Sequence, residues 1–198
     1  QSEQSDSAGQ KFIAHVRKDD DGEWLIHDLF EHCEEVGKLA EQFAGELGGE
    51  FAKLQGRYHD IGKYRIPFQE RIRIKSGFGF DEEAHLEQKA GKASHSNAGA
   101  MLIHRSDSIL GVVLAYTIAG HHAGLPDWIN PKGSCLYSRL LSDDAKLELE
   151  QALEHLPPSF QKLPDSLQLL LPQFIAKNGL RFETWHIWIR FLFSCLVD

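Results

Sequence analysis

Across 29–47 the apolar residues Leu29, Cys33, Val36, Ala40, Phe43 and Leu47 recur at steps of three and four, the period of an amphipathic helix. Asp28 and Glu31 supply a capping-box start, and Gly48-Gly49 a stop. The pattern then resumes: 50–62 reads as a second helix with Phe51, Leu54, Tyr58 and Ile61 on one stripe. Ser94 is placed to cap a third helix, HSNAGAMLIHRSD, and a fourth runs over 108–122 until Gly124 and Pro126 forbid continuation. DDAKLELEQALEHL reads as an exposed amphipathic helix ended by Pro157-Pro158, PDSLQLLLPQFIAKNG as another kinked at Pro172, and an aromatic helix begins at 180. Between the second and third helices, GFGFDEEAHLEQKAGKA is glycine-rich and charged and reads as a long connection. Nothing alternates at period two for long, so the expected fold class is all-α, a helical bundle.

With 198 residues, 42% of them hydrophobic, the chain suffices for one domain with a real core. The first ten residues are small and polar and read as a flexible terminus, without the basic and apolar segments of a signal peptide. The most apolar run, WHIWIRFLFSCLV, is interrupted by Arg190 and falls short of the roughly 20 residues a bilayer requires. Three cysteines, an odd number without Cys-x-x-Cys spacing, argue against a disulfide framework and a zinc knuckle. The expected setting is a reducing cytoplasm, with no membrane partner. A net charge of -8 offers no diffuse basic surface, so a polyanion would have to be held locally, for instance by bound cations.

Histidine is abundant, with eleven residues, and its placement is patterned. His32 lies on the edge of the first apolar stripe; His59 and Asp60 flank the second; His95 opens the third helix; His121 and His122 close the fourth. Taken singly, each has a plain explanation: a core histidine, a cap support, a complement to a helix macrodipole. Taken together, four helices each present ligand-type side chains near one end, which is how bundles build metal sites. Asp60 is the natural bridge between two cations. Predominantly imidazole ligation favours manganese, iron, cobalt, nickel or zinc over magnesium or calcium. Lys63, one turn after His59, is positioned to neutralise charge on a phosphoryl oxygen.

The pieces AHV, EWLIHDLFEHCEEVGKLAEQFA, YHDIGKYRIPFQ, ASHSNAGA, IAGHHAGLPDW and RFLFSCLVD resemble the HD superfamily of metal-dependent phosphohydrolases. Within it they resemble the HD nuclease domain of the CRISPR-associated nuclease-helicase of type I systems. HDIGK is shared by many HD enzymes, whereas SHSNAGA followed by AGHHAGLPDW is similar to the CRISPR nuclease in particular. The resemblance spans 12–198 and implies one HD nuclease domain over 11–198. It implies metal ligands at His32, His59, Asp60, His95, His121 and His122, with Asp60 bridging and Lys63 in a catalytic role. It adds an aspartate on the last helix, in a Leu-Val-Asp-Ala-Asp pattern whose second aspartate is more often the ligand. Asp198 corresponds to the first: either it takes that place, or the ligand follows where this sequence stops.

The resemblance further implies two divalent ions, manganese, nickel, cobalt or iron, with magnesium or zinc admitted. The substrate implied is single-stranded DNA, hydrolysed by two-metal chemistry in antiviral interference. A helicase, fused or separate, would feed the strand, and an RNA-guided surveillance complex would supply specificity. Ending within an aromatic helix is what a domain excised from such a helicase would show. The competing expectations are a phosphohydrolase of nucleotides or cyclic dinucleotides, and a non-catalytic interaction module. His15 has no clear ligand role in this reading, His27 is expected to be exposed, and His85, His104, His155 and His186 are expected at the surface or in packing.

Overall fold

Apolar residues at helical spacing bury one face of each helix against the next, and the bundle the sequence predicts is what the chain forms. The computed structural model describes residues 11–79, 95–106, 108–130, 133, 135–164, 166–178 and 181–196. A short antiparallel hairpin comes first, β1 (Ile13–Lys18) and β2 (Trp24–Asp28). Helices α1 (Leu29–Ala44), α2 (Gly49–Tyr58), α3 (Ile66–Ser76), α4 (Ser96–His104) and α5 (Ile109–Gly120) follow. Then come α6 (Leu136–Leu140), α7 (Asp143–Leu153), α8 (Pro158–Gln161), α9 (Gln173–Asn178) and α10 (Phe182–Ser194). None of the helices among the described residues is long and apolar enough to cross a membrane.

Two helical hairpins form the centre of the molecule, α1 against α2 and α4 against α5, with α7 packed across α4 and α10 against α5 and α2. Leu29, Cys33, Ala40, Phe51, Tyr58 and Ile61 from the first hairpin meet Ala98, Leu114 and Ile118 from the second in one core. Asp28 caps α1, its carboxylate accepting from the N–H groups of Phe30 and Glu31. Ser108 caps α5 by accepting from the Gly111 N–H. On α10, Trp188 is buried and its indole N–H donates to the Leu47 carbonyl, while Gln55 of α2 donates to the Leu192 carbonyl.

Several boundaries differ from the sequence reading, each for a local reason. The first helix ends at Ala44 because Gly45 adopts a positive φ and donates to the Glu41 carbonyl. Leu47 (50% exposed), beyond that point, and Phe43 (60%), on the outer face of the last turn, fall outside the core. The second helix stops at Tyr58 rather than continuing to 62, and the segment predicted to kink at Pro172 is split there into a 3-10 turn (Leu167–Leu170) and α9. The expected long connection, 77–93, lies outside the described residues from 80 onward, as does the expected cap Ser94. The hairpin was not anticipated: its two strands are short and mostly exposed, so period-two alternation barely registers.

One close approach fixes how the two helical hairpins dock. Gly99 of α4 lies against the last carbonyl of α2, so that a Cβ there would stand 1.9 Å from the Tyr58 oxygen. Only a residue without a side chain permits that approach. Gly99→Ala is expected to force α4 away from α2 and destabilise the protein by about 1–3 kcal/mol, read as a lower midpoint in urea unfolding; an unchanged midpoint would contradict the contact.

Candidate metal centre

The centre is built at helix ends, where backbone groups lack intrahelical partners. His59 is the first residue after α2, and its ring Nδ1–H donates to the Gly56 carbonyl at 2.6 Å. His121 is the first residue after α5, and its Nδ1–H donates to the Ile118 carbonyl, also at 2.6 Å. A carbonyl can only accept, so in both rings Nδ1 carries a proton and Nε2 faces away from the helix. Each bond also satisfies a carbonyl in the last turn of its helix. The pairing of one ring nitrogen with a fixed acceptor is the usual device for orienting a metal-ligating imidazole.

Between them lies Asp60, wholly buried, in the sparsely populated bridge region of backbone space (φ -109, ψ 9). A 3-10 turn, Ile61–Tyr64, follows it. In such a turn residues three apart eclipse, so Lys63 is brought over Asp60 rather than beside His59: its Nζ is 2.6 Å from Asp60 Oδ2 and donates to the Ala14 carbonyl at 3.4 Å. Both are buried. Gly62 permits the neighbouring strand of backbone to pass, since a Cβ there would stand 2.2 Å from the His95 oxygen.

The two carboxylate oxygens face different partners. Oδ2 is 3.1 Å from His32 Nε2 and 3.2 Å from His59 Nε2, and those two nitrogens are 3.3 Å apart. Oδ1 is 3.4 Å from His95 Nε2 and 3.7 Å from His121 Nε2, and His95 Nε2 is 2.6 Å from His122 Nε2. Ligand atoms of Asp60, His95, His121 and His122 all lie within 4.8 Å of one another. The structure therefore brings together His32, His59, Asp60, Lys63, His95, His121 and His122. Asp198 lies outside the described residues.

Burial opposes ionisation of Asp60, yet His59, His32 and Lys63 together outweigh it and hold the carboxyl well below the usual carboxylate range. Burial pushes His95 down to about 3, against the pull of Asp60, and His121 down to about 4, with His59 adding to the effect. Both rings are thus neutral near pH 7, the state in which imidazole binds a metal.

Two observations test the cluster against a divalent cation. Asp60 Oδ1 and His121 Nε2 are buried without a hydrogen-bond partner, although both aim at the same space. Such orphaned polar atoms cost free energy unless something meets them. The His95 and His122 nitrogens approach more closely than two facing lone pairs tolerate without a shared proton or cation. The donor set, imidazole nitrogens with one carboxylate, suits a transition metal.

Two supporting residues escaped the sequence reading. His95 opens α4 but makes no side-chain capping bond; that task falls to Glu148 of α7, buried, which accepts from the N–H groups of Asn97 and Ala98 at 3.1 Å each. The signal was a glutamate on the stripe formed by Ala145, Leu149 and Ala152, in a helix read as exposed. Gln69 of α3, also buried, joins the carbonyl of Lys63 to the backbone of Ile13; no helix had been assigned there. Among the remaining histidines, His27 is half-buried and pairs with Glu35 at 3.1 Å. His104 packs near Trp128, His155 against Phe12, and His186 is exposed and stacked on Phe182. His85 lies outside the described residues.

A bundle with a carboxylate ringed by imidazoles at its helix ends defines a class, the helical proteins that seat cations between facing helices. The HD domain profile matches residues 29–153, which contain every described residue of the cluster predicted from sequence. The chain belongs to the HD domain family, within the superfamily of metal-dependent phosphohydrolases, and its His/Asp cluster is the candidate metal site. No curated protein matches the chain.

The depressed histidines set the sign of a pH effect. Unfolded, His95 and His121 titrate near the ordinary value of 6.5; folded and ion-free, near 3 and 4. The unfolded state binds more protons in that interval, so stability falls as pH drops below about 6.5. Thermal melts of chelated protein are expected to show a midpoint that declines from about pH 7 to about pH 5. Manganese at about 100 times its Kd should add about 2.7 kcal/mol at neutral pH. A flat profile with no response to the ion would contradict the site.

Proposed function

We propose that this chain is a nuclease that hydrolyses phosphodiesters of single-stranded DNA, acting in the antiviral interference of type I CRISPR systems with two divalent transition-metal ions. The observation that carries the reading is Asp60, whose oxygens face two separate sets of imidazoles, His32 with His59 and His95 with His121. Such a carboxylate is suited to bridge two cations. SHSNAGA and AGHHAGLPDW, which supply His95, His121 and His122, favour the CRISPR nuclease over other HD enzymes. The centre also reaches the surface, since His122 is exposed, and a polymer can lie across an open site that would not be needed for a small nucleotide.

Divalent ions held there would supply Lewis acidity towards water and the phosphoryl group. The residues of the chain have separate tasks. Neutral His95 and His121 present lone pairs from fixed positions, and the Nδ1 bonds to Gly56 and Ile118 stop His59 and His121 from rotating. Lys63, 2.6 Å from Oδ2, is the ammonium that would be available to a phosphoryl oxygen at this centre. Hydrolysis adds a water oxygen to phosphorus and breaks the bond to the leaving sugar oxygen, which gains a proton. With a net charge of -8 the chain as a whole does not attract DNA, so substrate would be held locally, at the centre. In this reading a helicase delivers the strand and an RNA-guided complex selects it.

Cleavage of single-stranded DNA is expected with manganese, cobalt, nickel or iron, with magnesium and zinc included in the panel, and is expected to be lost in Asp60→Ala. Lys63→Ala is expected to lower kcat by about 100-fold. Hydrolysis of nucleotides or cyclic dinucleotides with no action on DNA would instead assign a small-molecule phosphohydrolase. No turnover with any divalent ion would leave an interaction module. Full activity in Asp60→Ala would remove the bridging role.

A further inference from the structure

The hairpin has no place in the helical scaffold, yet it is fastened to the metal centre. Ile13 pairs with Asp28 and His15 with His27, so Ala14 is an extra residue in β1, a bulge of the kind that re-aims a neighbouring side chain. The backbone around the bulge is bonded to the site as well as paired in the sheet. The buried Gln69 amide accepts from the Ile13 N–H at 2.8 Å and donates to the Ile13 carbonyl at 3.0 Å and the Lys63 carbonyl at 2.7 Å. Lys63 Nζ itself donates to the Ala14 carbonyl. Residues 13 and 14 are thereby tied to the turn that carries Asp60.

The next residue is His15. Its ring meets that of His32 edge-on, with centroids 4.7 Å apart. A ring nitrogen of His15, one of His32 and an oxygen of Asp60 all lie within 4.8 Å of one another. Nitrogens on opposite sides of a transition-metal ion stand about 4 Å apart at bond lengths of about 2.0–2.1 Å. An exposed side chain such as His15 reaches that distance by a shift of less than about 1 Å. Among the described residues the two sides of Asp60 are also unequal: three imidazoles gather at Oδ1, from His95, His121 and His122, and two at Oδ2, from His32 and His59. Across the hairpin, His27 is engaged with Glu35.

We propose that His15 is a further metal ligand, the third imidazole of the divalent transition-metal ion on the Oδ2 side of Asp60. The inference rests on the two-ion reading above. The hairpin is then part of the metal centre, with the Ala14 bulge aiming the ligand and Gln69 holding the bulge in place.

Cobalt titration of the full chain, followed by calorimetry and visible absorption, tests this without reference to turnover. Wild type is expected to bind two ions. His15→Gln is expected to weaken one of them by at least about 10-fold, leaving the other as in wild type, with the far-UV dichroism unchanged. His15→Cys is expected to restore the weakened ion and add a near-ultraviolet thiolate-to-cobalt band that wild type lacks, a signature that only direct ligation produces. A His15→Gln titration identical to wild type overturns the proposal, as does a His15→Cys protein without the band. If His15→Gln keeps both ions and only raises KM for DNA, His15 touches substrate and the proposal falls. Fewer than two ions in wild type overturns the two-ion reading itself, and His15 with it, a failure visible before any variant is made.

Discussion

An ionised carboxylate withdrawn from water loses several kcal/mol of hydration unless positive charge and hydrogen bonds replace it. Asp60 is such a group, with no solvent exposure and a carboxyl held well below the usual range. Most of the architecture around it answers that requirement. α1 contributes His32, the turn after α2 contributes His59 and Lys63, the start of α4 contributes His95, and the end of α5 contributes His121. Lys63 Nζ joins the His59 and His32 rings around Oδ2. Oδ1 has imidazoles within 3.4–3.7 Å but no hydrogen bond, which is why that side is the more demanding of a cation.

The helices supply more than a rigid frame. A helix C-terminus carries unsatisfied carbonyls and partial negative charge, and two of them are used in the same way. His59 and His121 each turn back to a carbonyl three residues earlier, fixing the tautomer and sending Nε2 outward. At the opposite kind of terminus, α4 receives the Glu148 carboxylate on the N–H groups of Asn97 and Ala98. His95 is thereby freed from capping and turned towards Asp60. The polar chemistry of helix ends and the assembly of the centre are one problem with one solution.

How much of this was legible follows from how local each signal is. The helices α1, α2, α4, α5, α7 and α10 announce themselves through apolar spacing, and the clustering of His32, His59, Asp60, His95, His121 and His122 follows from their recurrence at helix ends. The break after Tyr58 was not legible, because Phe51, Leu54, Tyr58 and Ile61 keep helical spacing through it and all four are buried. The position of Lys63 over Asp60 depends on that break, so their pairing was not legible either. A glutamate within a charged amphipathic helix ordinarily faces solvent, and the burial of Glu148 is decided by α4, which lies about fifty positions earlier. The hairpin is a tertiary feature held by Gln69, and no local period encodes an amide that clamps another segment's backbone.

The ligand-type side chains are drawn from separate segments between His32 and His122, and the entropy of closing a loop grows only with the logarithm of its length. A cation coordinated from both ends of that stretch would therefore act as a clip across the two helical hairpins and the turns between them, much as a cross-link does. In a chain whose three cysteines are free, the same atoms that would hold the cation would also be the nearest thing the fold has to a covalent staple.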